Sequence, residues 1–268
     1  MKKLSRNTLI LAIVAAGMMV ASLAVAGIEN TKHNFTQNAP PDWGSTQLHD
    51  DTNAQPQICV YCHTPHNAGQ PKFLWNKVSK NTVLTYKFYS SVSTTNAIRT
   101  QSAFSADSSS LLCLGCHDGK SAMNVLHNGG KGTAAPAGYP AGSSYAFGTG
   151  ELFMTNPDPT FFLPNPPSPS LGGGAPGVGT TVDLTDDHPV GFSYTEVYGE
   201  RATGLRTLAD IDTRSLGKIR FFGGAAVQRV ECATCHDPHV DYNTDTTLKP
   251  FLVMSNSESK LCLSCHDK

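Results

Sequence analysis

The chain has 268 residues, of which 39% are hydrophobic, 15% charged and 8% aromatic, enough for one or two domains and unlike a collagenous, coiled-coil or simply disordered chain. Its 20 basic and 21 acidic residues nearly cancel and form no Lys/Arg block, which excludes nucleic acid as an expected partner. Gly and Pro, 24 and 17 residues, exceed their usual share, so loops should outweigh helix and strand.

The first element is a leader. Lys2, Lys3 and Arg6 form a basic n-region, an apolar run follows over residues 9–20, and Ala24-Val25-Ala26 supplies a small-residue cleavage site. Residues 1–26 therefore read as a secretory signal peptide, and residues 27–268 as an exported domain of formal charge −4, because the leader removes three basic and no acidic residues. No later segment approaches the roughly 20 apolar residues needed to span a bilayer, so no membrane span is expected after cleavage.

His33 follows soon after the leader, beside Phe35. The first of four copies of one pattern comes next, Cys59-Val60-Tyr61-Cys62-His63, continuing as Thr64-Pro65-His66. Residues 73–89 are expected to form a small β-hairpin, since Thr82-Val83-Leu84-Thr85-Tyr86-Lys87-Phe88 roughly alternates. A short helix over 108–116 should deliver the second copy, Cys113-Leu114-Gly115-Cys116-His117. Residues 129–181, with Pro164-Asn165-Pro166-Pro167 and Gly172-Gly173-Gly174, read as a long irregular excursion without a conventional core. His188 follows in Asp186-Asp187-His188-Pro189-Val190-Gly191-Phe192. The third copy is Cys232-Ala233-Thr234-Cys235-His236, continuing as Asp237-Pro238-His239. A second short helix over 255–265, with Ser255 and Glu258 as a capping box, should carry the fourth, Cys262-Leu263-Ser264-Cys265-His266.

These four motifs, numbered 1 to 4 in chain order, take all eight cysteines. Cys-x-x-Cys-His is the attachment sequence of c-type haem: two thiols bond the porphyrin's vinyl carbons and the next imidazole ligates the iron. A disulfide framework suits an exported chain but leaves the histidines unexplained. With ten His in 268 residues, His after every pair by chance is on the order of one in a million, which decides against it. A zinc ribbon wants about 15–20 residues between its pairs, and a thioredoxin-like site uses one pair at a βα junction, so neither fits four copies this far apart. Four covalently attached haem c groups follow, held by Cys59, Cys62, Cys113, Cys116, Cys232, Cys235, Cys262 and Cys265, with His63, His117, His236 and His266 as proximal iron ligands.

Six histidines remain for the opposite faces of the irons, against three methionines after the leader. Bis-His ligation, and the low potentials that accompany it, is therefore expected. His66 and His239 stand three residues beyond a proximal His across a stiff proline, placed to reach a neighbouring haem rather than their own. His33 and His188 have aromatic neighbours, and the carboxylates before His188 could hold its second ring nitrogen. His49 and His127 lack such context and are expected to be surface or capping residues.

The chain resembles the exported multihaem cytochromes of metal-reducing bacteria, particularly the OmcE-like tetrahaem cytochromes that polymerise into filaments. The resemblance rests on Lys32-His33-Asn34-Phe35, Ile58 to Asn67 around motif 1, Asp187-His188-Pro189-Val190-Gly191-Phe192, Glu231 to His239 around motif 3, and Leu261 to His266. It implies a mostly irregular, haem-cored multihaem cytochrome c with short helices and a small β-hairpin. It also implies an electron carrier rather than an enzyme, at the cell surface or outside the cell, or else in the periplasm, whose partners are other redox proteins or extracellular electron acceptors. His33, near the start of the exported chain, is the candidate ligand for a head-to-tail homopolymer. The rival from another class is a multihaem reductase of a small oxyanion or nitrogen oxide, which needs one open iron position.

Overall fold

The computed structural model describes residues 27–36, 56–66, 68, 72–78, 84–129, 134, 137–146, 151 and 179–268. The leader, His49 and most of the 129–181 excursion lie outside the described residues.

Regular structure among the described residues is short throughout. Six strands form three separate two-stranded sheets. β1 (Thr85–Lys87) pairs in parallel with β4 (Thr181–Asp183), β2 (Val125–Leu126) pairs antiparallel with β3 (Ser144–Tyr145), and β5 (Phe192–Ser193) pairs antiparallel with β6 (Arg229–Val230). The helices are α1 (Asn96–Arg99), α2 (Ser110–His117), α3 (Tyr194–Glu200), α4 (Leu208–Ser215), α5 (Cys232–Cys235) and α6 (Lys260–Cys265).

The hairpin expected over 73–89 lies partly outside the described residues. Its strand survives as β1, but the partner is β4, almost a hundred residues further on. A period-2 pattern marks a strand without naming its neighbour; here Val182, fully buried on β4, supplies the apolar face that β1 packs on. The excursion also differs from expectation. Tyr139 and Tyr145 are buried with Ala122 and Val125 in a small cluster, and the Tyr139 hydroxyl donates to Glu151 Oε1 at 2.7 Å.

Local chemistry explains where the helices begin and end. Ser193 and Thr207 cap α3 and α4 by accepting from the N–H groups of Glu196 (3.3 Å) and Asp210 (3.1 Å), and α4 stops at left-handed Leu216. α2 ends at buried Asp118, whose Oδ1 accepts from the N–H groups of Lys120 (2.8 Å) and Ser121 (2.7 Å) and so bends the chain away. The capping box expected at Ser255 and Glu258 is absent. A 3-10 turn, Ser257–Ser259, lies there instead, and Asn256 Oδ1 accepts from Leu261 N–H at 3.2 Å. The side chain–backbone reciprocity sits at α5, where Thr234 Oγ1 accepts from Glu231 N–H at 2.9 Å.

One core joins the pieces: Phe88, Ile98, Val182, Phe192, Ile211 and Val230 are buried together with Leu114 of α2 and Leu261 of α6. Motifs 2 and 4 are thus anchored in the same apolar cluster. Gly191 turns the chain into β5 at φ 81°, and its N–H donates to Val230 O at 2.6 Å. A Cβ there would stand 2.6 Å from the Phe104 ring and 2.8 Å from Gln101 Nε2. Gly191→Ala combines that overlap with a left-handed backbone and should destabilise the fold by about 2–3 kcal/mol, read by thermal unfolding.

Candidate functional site

Each motif lies on a helical turn, which brings Cys i and Cys i+3 to one side with the histidine next in line. Motif 1 uses the 3-10 turn Ile58–Tyr61, and motifs 2, 3 and 4 use α2, α5 and α6.

Three of the four proximal imidazoles face another imidazole. His117 meets His33 with ring centroids 6.2 Å apart, His63 meets His239 at 6.3 Å, and His266 meets His188 at 6.5 Å. With a metal–imidazole bond of about 2 Å and a ring centre roughly 1 Å behind the bonding nitrogen, two imidazoles on opposite faces of one metal ion have centroids about 6 Å apart. The three pairs therefore fit axial ligation of a haem iron. Their planes differ: 15° at His63/His239, but 67° at His33/His117 and 81° at His188/His266.

Oxygen partners at Nδ1 leave the opposite nitrogen for metal. His63 Nδ1 lies 2.7 Å from Phe73 O, His236 Nδ1 2.9 Å from Pro250 O and His188 Nδ1 3.0 Å from Pro189 O. Such partners fix the tautomer and raise ligand basicity. The carboxylate expected beside His188 is found elsewhere: Asp237 Oδ1 sits 3.0 Å from His239 Nδ1 and pushes that imidazole's pKa up. The peptide geometry after His188 gives its ring the nearer Pro189 carbonyl instead. His33 stacks on Phe251 at 4.2 Å, and burial, with His117 beside it, pushes its pKa down to about 3.

His33 does not hang free. Asn30 Nδ2 donates to Asp241 Oδ2 at 3.1 Å, Asn243 Nδ2 donates to Asn30 O, and Lys32 N–H donates to Tyr242 OH at 2.9 Å. The N-terminal arm is docked on the loop that follows motif 3. His66, by contrast, is exposed, and among the described residues neither its ring nor that of His236 has an imidazole partner. His127 is half-buried with Nδ1 enclosed and unpaired, not the surface residue expected.

The eight thiols are unpaired as disulfides and run between motifs as neighbours. Cys113 and Cys232 are hydrogen bonded, while Cys62 is in electrostatic reach of Cys116 and Cys235 of Cys262. Burial pushes Cys62 and Cys265 up to about 12 and Cys235 up to about 11. Reactive or metal-binding thiolates need the opposite environment, whereas neutral thioether sulfurs suit this one. Among the described residues no cluster of three or more His, Cys, Asp or Glu converges as a metal site.

Two buried charges join the motifs, and neither stood out in the sequence. Glu231, its side chain 0% exposed, pairs with Arg229 Nε at 3.1 Å and accepts from Ser108 Oγ, Ser110 Oγ and Ser110 N–H. Ser110 Oγ in turn accepts from Cys232 N–H at 3.0 Å, so one carboxylate fastens the start of α2 to the start of α5. Lys77 Nζ donates to the carbonyls of Ala122, Met123 and Val125 at 2.8–2.9 Å and to the Cys116 sulfur, tying the segment after motif 1 to the segment after motif 2.

Repeated Cys-x-x-Cys-His turns with imidazoles set opposite three of their histidines are residues that would fit covalent haem c. Residues 225–268, which hold motifs 3 and 4, match the family described as the doubled CXXCH motif, and this part of the chain is similar to covalent haem c carriers. Motifs 1 and 2 lie outside the matched residues. The chain matches none of the curated proteins.

Glu231→Gln removes a buried charge and leaves Arg229 facing an amide, which should cost about 3–5 kcal/mol of unfolding free energy. Thermal unfolding of the haem-loaded variant measures the loss; Arg229→Met with Glu231→Gln should recover part of it.

Proposed function

We propose that the chain is an exported tetrahaem c-type cytochrome that carries electrons in extracellular electron transfer. The observation that carries this reading is the set of three imidazole pairs 6.2–6.5 Å apart, each joining a motif histidine to a distant one. Haem c, when bound, supplies one-electron chemistry at iron, and its potential follows from axial ligands, hydrogen bonding and burial. The chain's own part is to hold the imidazoles opposite one another, engage the Nδ1 atoms of His63, His188, His236 and His239 with oxygens, and keep the four motifs adjacent.

For the fourth iron, at His236, the proposal keeps His66, the counterpart of His239 in the repeated His-x-Pro-His phrase. Since the His66 ring is exposed, it is suited to cross to His236 of a second copy, and that contact repeats head to tail as a homopolymer. His33, for which the sequence leaves both its own and a neighbouring chain's iron open, lies opposite His117 of its own chain. Among the described residues no imidazole faces His236, and an open iron position there is what the reductase rival would require.

Intact-mass analysis of the protein secreted after removal of residues 1–26 should show four haem adducts; a mass without porphyrin rejects the reading. His33→Ala should keep four haems and turn one iron high-spin whether or not the protein assembles. His66→Ala should turn one iron high-spin and leave single copies in light scattering. Rapid, stoichiometric CO binding by the assembled wild-type protein would instead favour the reductase. The ferric protein should give one electron paramagnetic resonance class for the near-parallel His63/His239 pair and a second, with larger maximal g, for the two near-perpendicular pairs.

A further inference from the structure

Motifs 1, 3 and 4 are closed by the same three-residue strap, although its sequence differs each time. In motif 1 the N–H after the histidine, on Thr64, donates to Leu74 O at 2.7 Å; His63 bridges to Trp75; and Asn76 N–H donates to Cys62 O at 2.8 Å. In motif 3 Asp237 N–H donates to Phe251 O at 2.8 Å, His236 bridges to Leu252, and Val253 N–H donates to Cys235 O at 2.9 Å. In motif 4 Asp267 N–H donates to Gly204 O at 2.9 Å, His266 bridges to Leu205, and Arg206 N–H donates to Cys265 O at 2.9 Å. The first strap residue is left-handed in every case: Leu74 at φ 52°, Phe251 at φ 60° and Gly204 at φ 91°.

Leucine and phenylalanine rarely adopt that conformation, and strain of this kind persists where the surroundings impose it for a use. The use is visible in the first two straps. The residue before it, Phe73, itself left-handed at φ 58°, or Pro250, presents its carbonyl to the proximal Nδ1, at 2.7 Å in motif 1 and 2.9 Å in motif 3. The strap comes from downstream in motifs 1 and 3 but from upstream in motif 4, so it is a recurring structural answer and not a repeated sequence. Motif 2 lacks it: Asp118 N–H donates to Leu114 O and simply continues α2.

We propose that the left-handed strap residues Leu74, Phe251 and Gly204 are positioning residues that set the plane of the proximal imidazoles His63, His236 and His266 and, through the carbonyls of Phe73 and Pro250, the basicity of the first two, leaving His117 outside this control. The proposal rests on the cytochrome reading. A ligand imidazole whose Nδ1–H is engaged by a carbonyl is more basic and favours ferric iron, so loss of that contact should move the potential of that iron upward.

Leu74→Val and Leu74→Gly test it on the full secreted protein, with haem counted by intact mass. A β-branched residue resists positive φ, whereas glycine adopts it freely. Leu74→Val should shift the g values of one low-spin ferric signal and move one of the reduction steps to more positive potential, while Leu74→Gly matches the wild type in both. Loss of one haem in Leu74→Val with full loading in Leu74→Gly supports the same role. Gly204→Val repeats the test at His266, where a Cβ meets nothing nearer than Asp267 O at 3.9 Å and backbone strain alone is introduced. Fully loaded Val variants with unchanged g values and potentials overturn the proposal, as does a Gly variant perturbed as much as its Val counterpart. Absence of porphyrin from the wild type is a separate result, which removes the cytochrome reading and the strap's role with it.

Discussion

Three pairs of imidazoles set opposite one another, with ring centroids 6.2–6.5 Å apart, are the constraint from which the arrangement of the described residues follows. The partners come from far apart in sequence: His33 with His117, His63 with His239, His188 with His266. Closing loops of such length costs entropy that helices of four to eight residues and two- or three-residue strands cannot offset by themselves. In the proposed cytochrome, ligation would offset it, because a group bound only by the folded chain stabilises that chain. The scarcity of regular structure is thus a consequence of where the stabilising contacts lie.

Imidazole pairs fix opposite faces, but they do not fix how one motif sits against the next. That register is polar. Glu231 joins the N-terminal turns of α2 and α5, and Lys77 joins the segments that follow motifs 1 and 2. Both are buried charges, which stabilise poorly but tolerate few alternative partners, so they select one arrangement of the motifs over others of similar apolar burial. An apolar contact between α2 and α5 would slide; a carboxylate holding two serines and an arginine cannot.

Much of the site was legible in the chain because its chemistry is local. Cys-x-x-Cys-His needs neighbours in sequence, and the three histidines that lie opposite motif histidines, His33, His188 and His239, are flanked by aromatics or proline. Alternation marked the strand β1 but says nothing about its partner β4, which starts at the end of the excursion. The second-sphere oxygen of His188 was assigned to a neighbouring carboxylate, whereas carbonyls, present at every residue, fill this role at three histidines and leave no mark in sequence. The strap escaped notice for the same reason. Its contacts are backbone to backbone, its distance from the motif varies, and in motif 4 it precedes the histidine it serves.

Motif 2 is set apart by both its cover and its ligand. Its helix runs through His117 into Asp118 without a strap, and the facing imidazole arrives on the N-terminal arm. That arm is held by Asp241, Tyr242 and Asn243, all on the loop after motif 3, and His33 itself rests on Phe251, a strap residue of motif 3. The sites at His117 and His236 are therefore mechanically linked: displacing the motif 3 loop moves the opposite face of the motif 2 site. With Cys113 and Cys232 already in contact between the same two motifs, the middle of the chain is its most tightly coupled part. An electron carrier gains from rigidity there, since a fixed separation between neighbouring sites has to persist while each site changes charge.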